Sequence, residues 1–262
     1  MNNLIYQVAI GEQSKLYEVC IDSVAQYCNR MGFTHYVLRE PLMRIRPDMN
    51  RTGRSKEAVE KLGYLPIYEK ENAFSKLTEY DNVAIIDADV YIKSSVTEDI
   101  FGQLGDAEFS AMIEASGPIT KEHKIKLLRY GEMQYGKIKS AVSWSGGIAQ
   151  FMNMGVMVMS NKNNMVKRGR LLPPSDFIHR PEFKDFVDGI GSYKWSTDQT
   201  LLNYWLYYDK IHTSNLDWKW NALYTAVDNE AIRNAYAIHF FLKDKLLHKG
   251  ENIEEILKKL GE

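Results

Sequence analysis

The stretch Val83-Ala84-Ile85-Ile86-Asp87-Ala88-Asp89-Val90 carries an apolar run directly into two aspartates spaced by one residue. The run follows the turn-like polar break Tyr80-Asp81-Asn82, so its apolar residues predict a buried strand. Because alternate side chains of an extended chain share a face, we expect Asp87 and Asp89 to point the same way. Carboxylates held this close repel each other unless a cation lies between them, which indicates a divalent metal. Helix capping or a solvated loop is the competing interpretation.

The composition is that of an ordinary globular protein. The chain has 262 residues, of which 45% are hydrophobic and 26% charged, enough for one large α/β domain or two small ones. Its formal net charge of -1 excludes a global basic field of the kind that binds nucleic acid. The only cysteines, Cys20 and Cys28, are interpreted as reduced packing residues of a helix. We find no leader-like start and no apolar run of membrane-span length, so we expect a cytoplasmic protein without integral membrane association.

Strand-like and helix-like segments alternate through the first half, which is typical of a mostly parallel sheet with covering helices. The predicted strands are residues 4–10, 34–38, 83–92, 107–113 and 151–159, and the predicted helices are 16–31, 68–79, 197–208 and 253–260. We expect residues 121–139 to be a mobile, basic surface element. Ligands of such sheets collect beyond the carboxyl ends of the strands, where Asp87 and Asp89 lie.

Three further motifs follow the aspartate pair. They are Asn153-Met154-Gly155-Val156, Asp198-Gln199-Thr200-Leu201-Leu202-Asn203, and His239-Phe240 followed by Lys243 and Lys245. In this order and at these separations, the motifs resemble those of the retaining glycosyltransferases with the GT-A fold. They are most similar to family eight, which includes glycogenin and bacterial lipopolysaccharide galactosyltransferases. The resemblance covers roughly residues 4–245 and departs from the family where Leu242 replaces a glycine and Leu246-Leu247 replace Pro-Trp.

The resemblance implies a Rossmann-like α/β fold with a mixed, mostly parallel central sheet flanked by helices. We expect a single GT-A domain over residues 1–262. Within it, a nucleotide-binding half would occupy residues 1–105, an acceptor-side half 106–248 and a C-terminal helix 251–260. No internal repeat or obvious linker divides the sequence.

The resemblance also implies a metal site. Asp87, Asp89 and His239 would offer two hard oxygens and one imidazole, a set that suits Mn²⁺ well and Mg²⁺ acceptably. The metal would neutralise charge on a leaving diphosphate. The competing interpretation of His239 is a core histidine on the apolar run 235–242.

The catalytic pair implied by the resemblance is Asp198 and Gln199. Asp198 would accept hydrogen bonds from hydroxyls of the donor sugar, and Gln199 would present its amide oxygen to the anomeric carbon. Because an amide is a poor nucleophile, we expect front-face substitution rather than a covalent glycosyl-enzyme. An exposed helix N-cap at Thr197 or Asp198 is the alternative.

Other expected contacts follow from the same resemblance. Donor-binding residues would be Gly11, Tyr17, Lys70, Asp87, Ala88, Asp89, Asn153, Gly155, Lys243 and Lys245, with Lys243 a fallback for Lys245 in gripping the diphosphate. Independently of the resemblance, aromatic faces pack against sugar rings, so Trp218, Trp220 and Asn221 are expected on the acceptor side. The alternatives are a solvated helix position for Lys70, between Glu69 and Glu71, and core packing for the aromatic residues.

Residues 40–63 contain an Arg-rich, irregular loop. Its cations, Arg44, Arg46, Arg51 and Arg54, could close over the diphosphate, although a solvated loop is the preferred interpretation.

These motifs predict a metal-dependent retaining hexosyltransferase. Its donor would be a nucleotide-sugar, UDP-glucose or UDP-galactose, and its acceptor a glycan or another hydroxyl compound. A sugar-phosphate nucleotidyltransferase is the first alternative, but no Gly-rich basic signature follows the first strand. The second is a non-catalytic sugar-nucleotide-binding module, which would have no need of Asp198 and Gln199.

Overall fold

The computed structural model describes residues 1–11, 14–161, 172–195 and 197–262. The strands are β1 (Asn3–Val8), β2 (Thr34–Leu38), β3 (Asn82–Ile86), β4 (Val90–Ile92), β5 (Phe109–Ile113), β6 (Trp144–Ser145), β7 (Ile148–Ala149), β8 (Met152–Ser160), β9 (Thr213–Asn215), β10 (Ala222–Leu223) and β11 (Ala237–His239). The α-helices are α1 (Lys15–Met31), α2 (Lys56–Leu62), α3 (Lys121–Tyr135), α4 (Pro174–Ile178), α5 (Lys184–Asp188), α6 (Asp198–Tyr208), α7 (Asn229–Asn234) and α8 (Ile253–Leu260).

The main sheet has six strands in the order β2-β1-β3-β8-β5-β9. The pairs β2-β1, β1-β3 and β5-β9 are parallel, whereas β8 runs antiparallel to both of its neighbours. Both β3 and β8 are buried along their whole length, as their near-continuous apolar sequences require. The sheet is therefore mixed and mostly parallel, as the sequence predicts.

A smaller sheet, β10-β11-β4, lies next to the carboxyl end of β3. Its strand β4 continues the chain after Asp89, and in the antiparallel pairing of β4 with β11, His239 lies opposite Val90. The short link between β3 and β4 therefore joins the two sheets, and it brings residues that are 150 positions apart in the sequence to one place.

Helix α1 covers one face of the main sheet. The Ser14 hydroxyl accepts a hydrogen bond from the Tyr17 amide at the helix start, and Gly32 ends the helix in the left-handed region at φ 72°. Cys20 and Cys28 are buried with their thiols unpaired, as predicted. Full burial of each large apolar side chain stabilises the fold by about 1.5–3 kcal/mol.

Three predicted segments differ in the structure. The strand predicted over residues 83–92 is interrupted between Ile86 and Val90, and the helix predicted over 68–79 is a 3-10 helix, Pro66–Thr78. The segment 121–139 is not a mobile surface element, because α3 packs through His123 and Leu127, both of them buried. Within the described residues, no helix combines the length and the apolar character needed to cross a membrane.

Candidate active site

The two aspartates lie in a turn between β3 and β4. The Asp87 amide donates to the Gly155 carbonyl at 2.8 Å, and the Val90 amide donates to the Asp87 carbonyl at 3.1 Å. The chain therefore bends back on itself at Asp87, which corrects the expected extended geometry. Asp87 and Asp89 face the same site because of this turn rather than because of strand alternation.

His239 completes a group of three possible metal ligands. Its Nε2 lies 3.3 Å from Asp89 Oδ1 and 3.9 Å from Asp87 Oδ2, and the ligand atoms of the three residues lie within 4.8 Å of one another. Two carboxylate oxygens and an imidazole nitrogen form a donor set that fits Mn²⁺ or Mg²⁺. His239 is buried, as a core histidine would be, but it faces two carboxylates.

The charges in this group shift one another's protonation. Burial raises the pKa of the Asp87 carboxyl, and the positive charge of Lys70 only partly offsets this effect. Burial also opposes ionisation of Asp89, but the charge and hydrogen bond of His239 outweigh it and lower the pKa of Asp89. Burial alone would lower the pKa of His239, yet Asp89 and Asp87 raise it overall. The group therefore has the unequal carboxylates expected of a cation site.

A hydrogen-bonded chain of buried residues orients His239. Its Nδ1 lies 2.8 Å from Asn221 Oδ1, so the ring directs Nε2 toward the aspartates. Asn221 Nδ2 donates to Asn153 Oδ1 at 2.9 Å, and Asn153 Nδ2 donates to Glu114 Oε2 at 2.7 Å. Glu114 Oε1 is 2.7 Å from His123 Nε2 on α3. These hydrogen bonds thus connect His239, a possible metal ligand, to His123 on α3.

Glu114 and His123 were not predicted from the sequence. Glu114 directly follows β5, just as Asp87 directly follows β3, so a polar residue at a strand end was the available signal. His123 offered no such signal, because its segment was interpreted as mobile.

Gly155 is required by the same packing. A Cβ atom at this position would lie 2.5 Å from His239 Nδ1 and 3.2 Å from Asn153 Oδ1. Any side chain here would therefore displace the imidazole from the aspartates.

Lys70 connects the aspartate turn to α6. Its Nζ lies 2.8 Å from Asp87 Oδ1, 2.7 Å from Asp198 Oδ2 and 3.2 Å from the Met154 carbonyl. Burial works against its charge, but Asp198 and Asp87 together raise the pKa of Lys70. The alternative of a solvated helix lysine is wrong, because the Lys70 side chain is only 14% exposed and its Nζ is paired with both aspartates.

The start of α6 places Asp198 and Gln199 against this cluster. Thr197 is the N-cap, and its hydroxyl accepts from the Gln199 amide at 3.3 Å. Asp198 is buried and paired with Lys70, so it is not an exposed cap. Gln199 Oε1 accepts from the Met154 amide at 3.3 Å, and Asn203 Nδ2 donates to the Gln199 carbonyl at 2.9 Å. Both side chains are thus held at fixed positions.

Two cavities meet at these residues. The first, which we call the catalytic cavity, has a volume of about 410 Å³. Its lining includes Lys70, Asp87, Asp89, Glu114, His123, Lys126, Leu127, Tyr130, Asn153, Met154, Gly155, Thr197, Asp198, Gln199, His239, Phe241 and Leu242. The second, about 320 Å³, is lined by Val8, Ala9, Ile10, Tyr17, Pro66, Ile67, Lys70, Asp87, Ala88, Asp89 and Asp198. The residues that the cavities share are Lys70 and the three aspartates.

Tyr17 lies on the wall of the second cavity. Burial, with a smaller effect from Asp89 and Asp87, raises its pKa to about 12, so the phenol stays neutral. The neighbouring Gly11 adopts φ 96° and is exposed, and it is not among the residues that line either cavity.

The predicted acceptor-side residues lie elsewhere. Trp220 is fully buried against Tyr27 and Tyr236, so it cannot contact an acceptor, and the core-packing interpretation is correct for it. Trp218 packs against the same core and lines neither cavity. Asn221 is fully buried and orients His239. The apolar run around these residues is core, which explains the error.

The basic residues expected to grip a diphosphate are also placed differently. Lys245 is exposed and lines neither cavity, and the side chain of Lys243 lies outside the part of the chain that the structure describes. Leu242, at the family's glycine position, has φ 60°, a left-handed conformation that glycine adopts without strain.

The Arg-rich loop is anchored to α5. Arg54 donates to the Val187 and Phe186 carbonyls at 2.9 and 2.6 Å, and Arg51 pairs with Asp185 at 3.5 Å. None of the loop's cations, Arg44 and Arg46 included, is among the described residues lining either cavity. The loop is therefore neither freely solvated at Arg54 nor placed over the aspartates.

Comparisons with known proteins identify the fold. No family model and no curated protein sequence matches the chain. A glycosyltransferase involved in glycosylation of the major capsid of PBCV-1 is 10% identical, with a TM-score of 0.56 over 98% of this chain and 100% of that one. An active-site mutant of LgtC is 16% identical, with a TM-score of 0.52 over 98% of this chain and 95% of that one.

Mouse xyloside xylosyltransferase 1 gives a TM-score of 0.50 at 12% identity, over 94% of this chain and 100% of that one. These structural similarities confirm the fold that the motifs indicate. The chain has the mixed α/β fold of the GT-A glycosyltransferases.

Proposed function

We propose that this protein is a metal-dependent retaining glycosyltransferase that uses a nucleotide-sugar donor. The observation that carries the proposal is the meeting of two cavities at one charged cluster. One cavity lies beside Tyr17 and suits a nucleotide, and the other contains Gln199 and suits the sugar and the acceptor. The diphosphate between them would lie at Asp87 and Asp89.

Asp87, Asp89 and His239 would hold the divalent cation, Mn²⁺ or Mg²⁺. When bound, the cation supplies positive charge that stabilises the leaving diphosphate. Asn221 keeps the His239 ring in its orientation through Nδ1, and Gly155 leaves room for that ring.

Lys70 supplies a second positive charge next to the diphosphate position. With a cation on Asp87, the ammonium group would keep Asp198 as its partner and turn a proton toward a phosphate oxygen. Because its pKa is raised, Lys70 is charged at neutral pH and acts by electrostatics rather than as a base.

Asp198 and Gln199 would act on the sugar. Asp198 accepts hydrogen bonds from sugar hydroxyls, and Gln199 directs its amide oxygen to the anomeric carbon as positive charge develops there. The bond from that carbon to the diphosphate breaks while the bond to the acceptor oxygen forms on the same face. A phosphate oxygen of the leaving group takes the acceptor's proton, which needs no separate base.

The proposed donor is a nucleotide-linked hexose, either glucose or galactose. UDP-glucose and UDP-galactose differ at one hydroxyl, a distinction that single side chains make. One structural neighbour is a xylosyltransferase, so the shared fold also serves a sugar other than these two.

One assay tests the proposal against its alternatives. Incubation with Mn²⁺ and a panel of nucleotide-sugars should release nucleoside diphosphate, slowly with water and faster with an acceptor. A nucleotidyltransferase would instead release pyrophosphate from a nucleoside triphosphate and a sugar phosphate. A non-catalytic binding module would bind a nucleotide-sugar and release neither product, and this result would contradict the proposal.

A further inference from the structure

A third cavity, of about 850 Å³, lies beside the C-terminal half of α6. We call it the tyrosine groove, and it is lined by Ile113, Ala141, Val142, Ser143, Gln150, Met152, Asn203, Tyr204, Leu206, Tyr207, Tyr208, Lys210, Ile211 and Thr213. The tyrosine groove shares no lining residue with the catalytic cavity, although Met152 of the groove directly precedes Asn153 of the cavity on β8.

Two of the groove's three tyrosines are exposed, whereas Tyr204 is partly buried and its ring packs against Phe183 and Phe186. Tyr207 and Tyr208 are each 49% exposed, and the rings of Tyr204 and Tyr208 lie 5.6 Å apart at an angle of 37°. Tyr207 has no ring partner among the described residues, and within that part of the chain none of the three phenol hydroxyls makes a hydrogen bond. Tyr207 thus presents an unpartnered ring, whereas the ring of Tyr208 also faces the Arg180 guanidinium at 5.5 Å. The hydroxyls of all three tyrosines are unused within the described residues.

The rest of the lining mixes apolar and polar side chains and carries little charge. Ser143 and Lys210 are exposed, and Gln150 uses its side-chain nitrogen on the Ile148 carbonyl, which leaves its amide oxygen available. Among the described residues that line the groove, none is a carboxylate and Lys210 is the one cation. Such a surface matches a neutral polyhydroxyl ligand better than a nucleotide or a charged peptide.

The floor of the groove is connected to the catalytic residues. Asn203 is buried, its Oδ1 accepts from the Met152 amide at 2.9 Å, and its Nδ2 donates to the Met152 and Gln199 carbonyls, each at 2.9 Å. Tyr207 lies eight residues after Gln199 on the same helix, or about 12 Å along its axis. A ligand in the groove would contact the residue that braces Gln199.

We propose that the tyrosine groove is a second carbohydrate-binding site, which holds a glycan chain outside the catalytic cavity. Sugar rings have one face rich in C–H groups that packs on aromatic rings, and hydroxyls at their edges that bond to polar side chains. The inference rests on the proposed function in one respect, since an enzyme that acts on glycans would meet such a chain as acceptor or product.

Binding of oligosaccharides without any donor tests this site. The probes are hexasaccharides of α-linked glucose and of β-linked galactose, with free glucose as the monosaccharide control, followed by ligand-observed NMR and calorimetry. Wild-type protein and Gln199→Ala should bind one of the hexasaccharides equally, whereas Tyr207→Ala should weaken binding by about tenfold. Tyr207→Phe keeps the ring and should retain most of the affinity for the hexasaccharide. The melting temperatures of both Tyr207 variants, compared with that of the wild type, show whether they are folded.

Three outcomes overturn the proposal. Equal affinity of Tyr207→Ala and wild type would exclude the groove, and loss of binding in Gln199→Ala would place the glycan in the catalytic cavity. Absence of hexasaccharide binding, together with a dimer that Tyr207→Ala dissociates, would identify the groove as an interface between copies of this chain. Failure of the proposed function would give a different result. The protein would then release no nucleoside diphosphate from any nucleotide-sugar but would still bind the hexasaccharide in the groove.

Discussion

The two walls of the catalytic cavity are built in different ways. The charged wall consists of Lys70, Asp87, Asp89, Asp198 and His239, whose polar atoms contact one another at 2.7–3.9 Å. The apolar wall, made of Leu127, Tyr130, Phe241 and Leu242, has ring contacts and an exposed edge, with Leu242 50% exposed. A preorganised electrostatic wall suits chemistry, whereas a looser apolar wall suits recognition.

The largest effect is expected from the charged wall. Asp89→Asn removes a carboxylate that we propose binds the metal, and it should lower kcat/KM by about 10³-fold at saturating Mn²⁺. Asp106→Asn, on an exposed aspartate outside the cavities, is the matched control. Treatment with EDTA should abolish release of nucleoside diphosphate, and added Mn²⁺ should restore it. Full turnover by the stripped protein would show that the charged wall works without a metal.

Gln199→Ala should affect the chemical step and spare donor binding. We expect kcat to fall about 10²-fold with little change in the donor KM, because in the proposed mechanism the amide oxygen stabilises charge that exists only in the transition state. Steady-state kinetics with the nucleotide-sugar measures both constants, and Gln103→Ala on an exposed glutamine is the control. A change confined to KM would assign Gln199 to recognition and remove it from the charged wall's chemistry.

A series of hydrogen bonds runs from His123 on α3 to His239, and Asn221 is the residue in it that bonds directly to His239. Asn221→Ala leaves the His239 Nδ1 without its partner, so Mn²⁺ affinity should fall roughly 10-fold to 100-fold. Calorimetric titration with Mn²⁺ measures this, with Asn234→Ala on an exposed asparagine as control. Unchanged affinity would mean that packing against Gly155 alone orients the ring.

The sequence indicated the charged wall far better than the apolar one. The strand end predicted Asp87 and Asp89, because ligands of such sheets collect beyond the carboxyl ends of the strands. Asp198 and His239 were implied by the resemblance of their motifs to the GT-A glycosyltransferases. The turn at Asp87 was not predictable, because it depends on a hydrogen bond to Gly155, 68 residues away.

The apolar wall was missed for a physical reason. Helix α3 reads as polar and basic, with only a weak apolar stripe, so nothing local shows that His123 and Leu127 face a cavity. The opposite error occurred at Trp220, where an aromatic residue was assigned to a site and lies in the core. Local sequence records which side chains are apolar, whereas contact partners decide which of them face a ligand.

Metal affinity should depend on pH through His239. Its pKa is raised by Asp89 and Asp87, so in the metal-free protein the ring holds a proton that Mn²⁺ must displace. Affinity should fall up to about tenfold per pH unit below the raised pKa, measured by calorimetry between about pH 5.5 and 8.5. The folding stability of the metal-free protein should change in the opposite sense and increase as the pH falls. Protonated His239, with its raised pKa, stabilises the fold fully below about pH 6.5, and this stabilisation is lost as the pH rises through the raised pKa.

The smallest effect is expected on the apolar wall, at Leu242. A leucine at φ 60° costs about 1–2 kcal/mol relative to a residue without a Cβ atom, whereas glycine loses about 0.5–1 kcal/mol through the entropy of the unfolded chain. Leu242→Ala keeps the strained Cβ and Leu242→Gly removes it, while both lose the same half-exposed side chain. We therefore expect Leu242→Gly to be more stable than Leu242→Ala by about 0.5–1 kcal/mol in urea unfolding. If the alanine variant is the more stable one, the backbone at this edge relaxes freely, and the apolar wall is even less fixed than its contacts indicate.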